Sequence, residues 1–261
     1  MCASLCCLSA VLCSRGRSAV CLWFWGMLIR RITSSIRRRW GSLIGRVANR
    51  IAQGQIVVGG QTYDLPLNNG PHHIHGGPGG LGWRLWQIER VGDNALRARV
   101  VSDHLDQGYP GNVHFEVILK LVGHTLSYDI VAIPDRETPI NMAQHLYFNL
   151  MGQGDVRDHV VQIAADQYTP TDAQALPLGV IAPVEGSIYD FRAPRRIADA
   201  DPDGVGHDAS LVLNNVGDAP FAEVRAPNGM CLKMWGDRPC VQLYTSGGLA
   251  PYSRAWARCR A

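Results

Sequence analysis

Acidic residues are missing from both ends of this 261-residue chain: none lies in residues 1–40, and none follows Asp237. The first 40 residues carry seven arginines instead, Arg15, Arg17, Arg30, Arg31, Arg37, Arg38 and Arg39. Removing those seven from the 25 basic residues leaves 18 against 22 acidic ones, so residues 41–261 sum to −4. A mildly acidic body gives no reason to expect a nucleic-acid partner. Long apolar runs are also missing. The longest, residues 19–29, is about half of the roughly 20 residues that cross a bilayer. It has the length of a signal-peptide core, but Arg30 and Arg31 follow it without a small-residue cleavage pattern. A spanning anchor, a membrane-surface segment, and a targeting segment within 1–31 that would export the protein stand as alternatives to a head without a folded role. Residues 1–40 are read as a basic, Cys-rich head with no assigned fold and no expected membrane contact.

Paired C-x-x-C motifs with a second such pair or a nearby His are absent, which argues against a zinc site. Five of the eight cysteines fall in the first 21 residues, and Cys231, Cys240 and Cys259 are scattered late. A disulfide framework is not expected in a chain of this length, so the late cysteines are read as reduced. Helical periodicity is missing too: no segment keeps it for three turns without Gly or Pro.

What remains is a chain of short strands from Gly41 onward. Residues 55–58 and 61–65 flank Gly59-Gly60, a two-residue hairpin signal. Val113, Phe115, Val117 and Leu119 alternate with polar positions, and Gly123-His124 turns that strand back into Leu126, Tyr128 and Ile130. Further short apolar runs lie at 160–163, 210–213, 231–235 and 241–244, separated by turn clusters such as Asp201-Pro202-Asp203-Gly204. The pattern predicts an all-β domain over 41–261, a large antiparallel β-sandwich.

Four stretches place polar groups where strand formers are expected. Asn49 and Arg50, in Gly45-Arg46-Val47-Ala48-Asn49-Arg50-Ile51, offer donors and an acceptor suited to sugar hydroxyls, or else decorate a surface turn. His72, His73 and His75 precede a Gly-rich run. His73 and His75 at i, i+2 would share a strand face, as in a cupin-like metal site, but no carboxylate comes before Glu89. The glycines point instead to a close backbone approach beside His75. Trp83 and Trp86 either pack in the core or offer a face to a sugar ring. In His145-Leu146-Tyr147-Phe148-Asn149-Leu150 the period of two puts His145, Tyr147 and Asn149 on one face, a binding-site wall or a solvated surface. Gly206-His207-Asp208 and Val241-Gln242-Leu243-Tyr244-Thr245 complete the set.

Together these stretches resemble the aldose 1-epimerase (galactose mutarotase) family. Residues 45–51 match its G-R-x-A-N-R-I, residues 74–77 its L-H-G-G, residues 145–150 its H-x-Y-F-N-L and residues 241–245 its V-Q-x-Y-T. Asp166-Gln167-Tyr168-Thr169-Pro170 and Asp190-Phe191-Arg192 match framework stretches, in the expected order, and the likeness runs from about Gly41 to Leu249. The resemblance implies a galactose mutarotase-like supersandwich that interconverts α and β anomers of free hexoses in the cytoplasm. It needs neither metal nor organic cofactor. By the same resemblance His145 is the general acid at the ring oxygen, with Tyr147 beside it, and His75 contacts the ring-oxygen region. Asn49, Arg50, Asp208 and Gln242 bind hydroxyls. Asp208 lies in a stretch that departs from the family's G-x-D-H, since Ala209 stands where the His belongs.

The family's general base is a Glu in a later segment, and no counterpart is found here. The resemblance fades after Leu249, and the family's opening strands are replaced by the arginine-rich head, as a reading-frame change at each end would produce. The expectation is a poorly soluble, feebly active chain. The alternatives are an impaired carbohydrate-binding sandwich, a sugar-phosphate epimerase, and a metal-dependent cupin-like enzyme.

Overall fold

The structure, a computed structural model, describes residues 4–13 as backbone, and residues 41–215 and 217–245 in full. The readings of residues 19–29 and of Cys259 lie outside these. The hydrophobic alternation builds what it promises. Val113–Val122 turns through Gly123-His124 into Thr125–Pro134, with Thr125 opposite Val122 and Pro134 opposite Val113. Val113, Phe115, Val117, Tyr128, Ile130 and Ala132 are all buried, while the intervening His114 is exposed. Gly59 and Gly60 both have positive φ (57° and 78°), the conformation a two-residue hairpin between Gln55–Val58 and Gln61–Asp64 demands.

The strands form a nine-stranded antiparallel sheet. Its order is Arg195–Arg196, Val160–Ile163, Ala222–Arg225, Cys231–Gly236, Ser4–Cys13, Thr125–Pro134, Val113–Val122, Ala95–Ser102 and Gln87–Arg90. A four-stranded sheet holds Ala182–Pro183, Gln167–Thr169, Asp208–Val212 and Cys240–Tyr244. Val161, Ile163 and Ala222 of the long sheet pack with Leu211, Val241 and Leu243 of the short one, the sandwich predicted from the pattern. A second cluster joins Phe115, Val117 and Ile130 to Leu81 and Met142, so the other half of the long sheet is covered by loops and short strand pairs. Those loops carry the site.

Ser4–Cys13, from the stretch the sequence reading left without a fold, is a strand inside the long sheet. Ser4 pairs with Ala132 on one side, and Leu8 with Gly236 on the other. It contains no charged residue, as suits a strand flanked on both edges. Among the described residues no helix is long and apolar enough to cross a membrane.

Candidate active site

The first wall is built on a buried cation. Arg46 is 2% exposed, and its guanidinium donates to the carbonyls of Ser102, Asp103, Pro110 and Gly111 at 2.8–2.9 Å and to Ser102 Oγ at 2.9 Å. Burial pulls its pKa down, opposed first by Asp106, whose carboxylate also accepts from Ser102 Oγ and Arg84. Arg46 thereby fixes the start of the 45–51 segment. Next to it, a Cβ on Gly76 would lie 1.6 Å from Gly45 O, so only glycine permits this approach. The close contact foreseen beside His75 is thus between two backbones.

Three residues on, Asn49 (φ 64°) and His75 (φ 55°) clasp each other: Asn49 N–H donates to His75 Nδ1 at 3.0 Å, and His75 N–H to Asn49 O at 3.1 Å. A backbone N–H can only donate, so Nδ1 accepts and the neutral ring carries its proton on Nε2. Arg50 pairs opposite Ile74 and donates from Nε to Asn69 Oδ1 at 3.0 Å and weakly from Nη1 to Asn49 Oδ1 and Ala175 O. Its Nη2 and Asn49 Nδ2 make no hydrogen bond among the described residues.

The second wall hangs from the pairing of Leu43–Ile44 with Ala143–Gln144. The ladder ends at His145, whose N–H donates to Ser42 O (3.0 Å) and whose carbonyl accepts from Gly41 N–H (2.8 Å). Residues 145–149 belong to no strand. His145 and Tyr147 still share one side, with ring centroids 5.2 Å apart, and His145 meets His75 edge-on at 5.2 Å. Asn149 leaves that side: it donates to Gln153 O and Gly154 O and accepts from Met151 N–H, closing a turn.

The third wall comes from the short sheet, where Asp208 stands opposite Tyr244 and Ser210 opposite Gln242. Gln242 Nε2 donates to Asp208 Oδ1 at 2.7 Å. His207, 1% exposed, donates from Nε2 to Ile188 O (3.0 Å) and ties to Thr245 Oγ1, so it holds the strand end that presents Asp208. Tyr244 closes on Tyr147 at 6.0 Å. Burial raises the Tyr147 phenol to about 12, with Tyr244 and Asp208 adding to it. Tyr244 is raised by burial and by Asp208, against a smaller opposing pull from Arg50.

The cupin-like alternative does not survive this geometry. His73 is fully buried: Nδ1–H donates to Pro66 O and Nε2 accepts from Tyr109 O–H, each at 2.8 Å. The strand is only His73–Ile74, and the positive φ of His75 ends the alternation that would align the two imidazoles. Among the described residues no three His, Cys, Asp or Glu side chains converge as metal ligands. Trp86 packs on the core and donates to Leu81 O, whereas Trp83 is 45% exposed.

The sequence signature of the family described as "Aldose 1-epimerase" matches residues 33–260, starting inside the arginine-rich head and running past Leu249. The chain belongs to the aldose 1-epimerase family. Galactose mutarotase of Mus musculus is 40% identical over 216 residues, which cover 80% of this chain and 63% of that relative. The Homo sapiens galactose mutarotase is 36% identical with the same coverage. Aldose 1-epimerase of Escherichia coli K12 is 36% identical over 232 residues, 82% of this chain and 67% of the relative. The chain therefore spans just under two thirds of the mouse and human proteins. A solved aldose epimerase homologue from C. elegans superposes with a TM-score of 0.78 at 28% identity, covering 82% of this chain and 67% of that one. Galactose 1-epimerase from Lactobacillus acidophilus gives 0.65 at 31% identity, covering 73% and 59%.

In this aldose 1-epimerase family member Asn49, Arg50, His75, His145 and Tyr147 stand in one run of contacts that meets Asp208 and Gln242 through Tyr244. Tyr244 joins them; it belongs to the Val241-Gln242-Leu243-Tyr244-Thr245 motif, but the resemblance gives it no role of its own. Alternation along 240–244 was the available signal, since Gln242 and Tyr244 share a face.

Proposed function

We propose that this chain catalyses mutarotation of free hexoses such as glucose and galactose; its relatives carry the names galactose mutarotase and aldose 1-epimerase. The observation that supports the reading is the continuous contact His75–His145–Tyr147–Tyr244, flanked by unspent donors on Asn49 and Arg50 and by the Asp208–Gln242 acceptor pair. A hexose presents a ring oxygen, an anomeric hydroxyl and several further hydroxyls, and this wall offers imidazole to the first and polar groups to the rest.

In this reading His145 protonates the ring oxygen as the anomeric hydroxyl gives its proton to water, which stands in for the family's Glu base. The C1–O5 bond breaks to leave an aldehyde, C1 rotates, and closure on the other face returns both protons. An imidazole suits the acid role because its ordinary pKa lies near neutrality. His75 directs its Nε2 proton to the ring-oxygen region, while Asn49, Arg50, Asp208 and Gln242 hold the hydroxyls. Metal and organic cofactor enter no step. The impaired-binder alternative, which turns on the absent base, gains no support from the family match. Cys231 and Cys240 are free thiols, which fits a reducing compartment, and we place the protein in the cytoplasm.

Polarimetry of freshly dissolved α-glucose and α-galactose tests the proposal. Relaxation faster than in buffer, in proportion to protein concentration, is expected. Relaxation at the buffer rate for both sugars contradicts it.

A further inference from the structure

Between His145 and Leu150 the second wall has no ladder to hold it, yet it carries His145 and Tyr147. Those two rings touch His75 and Tyr244, while the side chains between them are split over two cores. Leu146 packs on the cluster of Phe115 and Met142, whereas Phe148 and Leu150 pack with Ala226, Met230 and Leu232. A span of this kind is as rigid as its two ends. The near end is fixed where His145 pairs with Ser42 and Gly41. The far end is Leu150, 6% exposed, and both of its backbone groups are held by side chains from elsewhere.

Leu150 N–H donates to His159 Nε2 at 3.1 Å. Two turns return the chain to it: Gly152 N–H donates to Asn149 O, and His159 N–H to Val156 O, each at 3.0 Å. His159 is 1% exposed and precedes the strand Val160–Ile163, and its own carbonyl accepts from Ile197 N–H. A backbone N–H can only donate, so Nε2 accepts and the neutral ring carries its proton on Nδ1. Nδ1 makes no hydrogen bond of good geometry among the described residues, which leaves the bond to Leu150 to hold the ring. Burial lowers the pKa of this histidine and so keeps Nε2 free to accept.

On the other side, Asn228 Nδ2 donates to Leu150 O at 2.9 Å, across 78 residues of chain. Asn228 lies in the turn Ala226-Pro227-Asn228-Gly229, between the strands Ala222–Arg225 and Cys231–Gly236. Its Oδ1 accepts from Met230 N–H at 3.0 Å, and Gly229 N–H donates to Ala226 O, also at 3.0 Å. The turn is thus closed without Nδ2, which is left to reach Leu150.

Resting on the epimerase reading, we infer that His159 and Asn228 are positioning residues that clamp Leu150 and thereby hold His145 and Tyr147 against His75 and Tyr244. Neither belongs to that run of contacts. Their effect is one of geometry: a displacement of about 1 Å at reacting groups costs about 10²-fold in rate. The groups proposed to hold the hydroxyls, Asn49, Arg50, Asp208 and Gln242, lie on the other walls. Loss of the clamp therefore shows in kcat more than in KM.

The test is polarimetry of α-glucose with the full chain, its Asn228→Asp variant, and His159→Leu beside His159→Gln. In Asn228→Asp a carboxylate oxygen still accepts from Met230 N–H and keeps the turn, but the side chain no longer donates to Leu150 O. That variant and His159→Leu should each lose about tenfold or more in kcat, with KM within about threefold of the wild type. His159→Gln, whose Oε1 can accept from Leu150 N–H, should keep kcat within about threefold. Wild-type kcat in Asn228→Asp overturns the inference, and so does a His159→Gln variant as slow as His159→Leu. Amide exchange over residues 146–150, read by mass spectrometry, follows the clamp without turnover. It should quicken by about fivefold or more in Asn228→Asp, and an unchanged rate overturns the clamp whatever happens to kcat. Should His159→Leu not fold, Asn228→Asp decides by both readings. A wild type that accelerates neither α-glucose nor α-galactose overturns the epimerase reading itself, and the exchange rates still decide whether the clamp exists.

Discussion

Two side chains at the cleft have their chemistry set by what they already bind. His75 is held in one tautomer by Asn49 N–H, and Asp208 is held by Gln242 with its other oxygen unspent among the described residues. Each was legible in sequence through its motif, but not the hydrogen bond that fixes it. Asn149 was misplaced for the same reason: alternation assumes a strand, and the ladder stops at His145, after which the chain bends to close a turn. Asp208 gives a sharp prediction. In the proposed role of acceptor for sugar hydroxyls it would hold ground state and transition state alike, so Asp208→Asn should raise KM by about tenfold or more with kcat nearly kept. A fall in kcat of about 10²-fold with KM unchanged would instead make it the base that takes the anomeric proton.

At the scale of elements, the 45–51 segment and the glycine loop after His75 form one unit, with Arg46 as its anchor. Arg46→Met leaves four carbonyls without their donor, and should lower the unfolding free energy by at least about 3 kcal/mol in a denaturant titration. A loss under about 1 kcal/mol would show that water replaces the guanidinium. The strand end that presents Asp208 depends on a neutral His207, and burial lowers the pKa of both His207 and His159. The unfolded chain takes up protons on these rings as pH falls through the ordinary histidine value of 6.5, while the native protein resists. Their stabilising effect is therefore complete above that value and declines below it. The thermal midpoint should drop between about pH 7 and pH 5, and His207→Gln should flatten that dependence. An identical slope in the variant would remove His207 from the account. Sequence reading saw the Gly206-His207-Asp208 motif but not that its histidine is structural, because burial depends on Ile188 and Thr245, which are distant in the chain.

For the whole molecule, the sandwich was readable because its period-two pattern survives from Val113 through Ile130 and in the later short strands. The strand Ser4–Cys13 was not, because a run without alternation carries no strand signal of its own, and its pairing with Thr125–Pro134 is non-local. The site was readable as a set of motifs and not as an arrangement, since Arg50 meets Ala175 O and Tyr147 meets Tyr244 only through contacts between residues distant in the chain. That arrangement makes His145 the centre of the functional account: it touches His75 on one side and Tyr147 on the other. The most direct test is mutarotation of α-galactose by the wild type and by His145→Asn, followed by polarimetry, with sugar binding measured on the same samples. A loss of about 10²–10⁴-fold in rate with binding nearly unchanged is expected, because the transferred proton matters mainly in the transition state. Equal rates for the two proteins would contradict it.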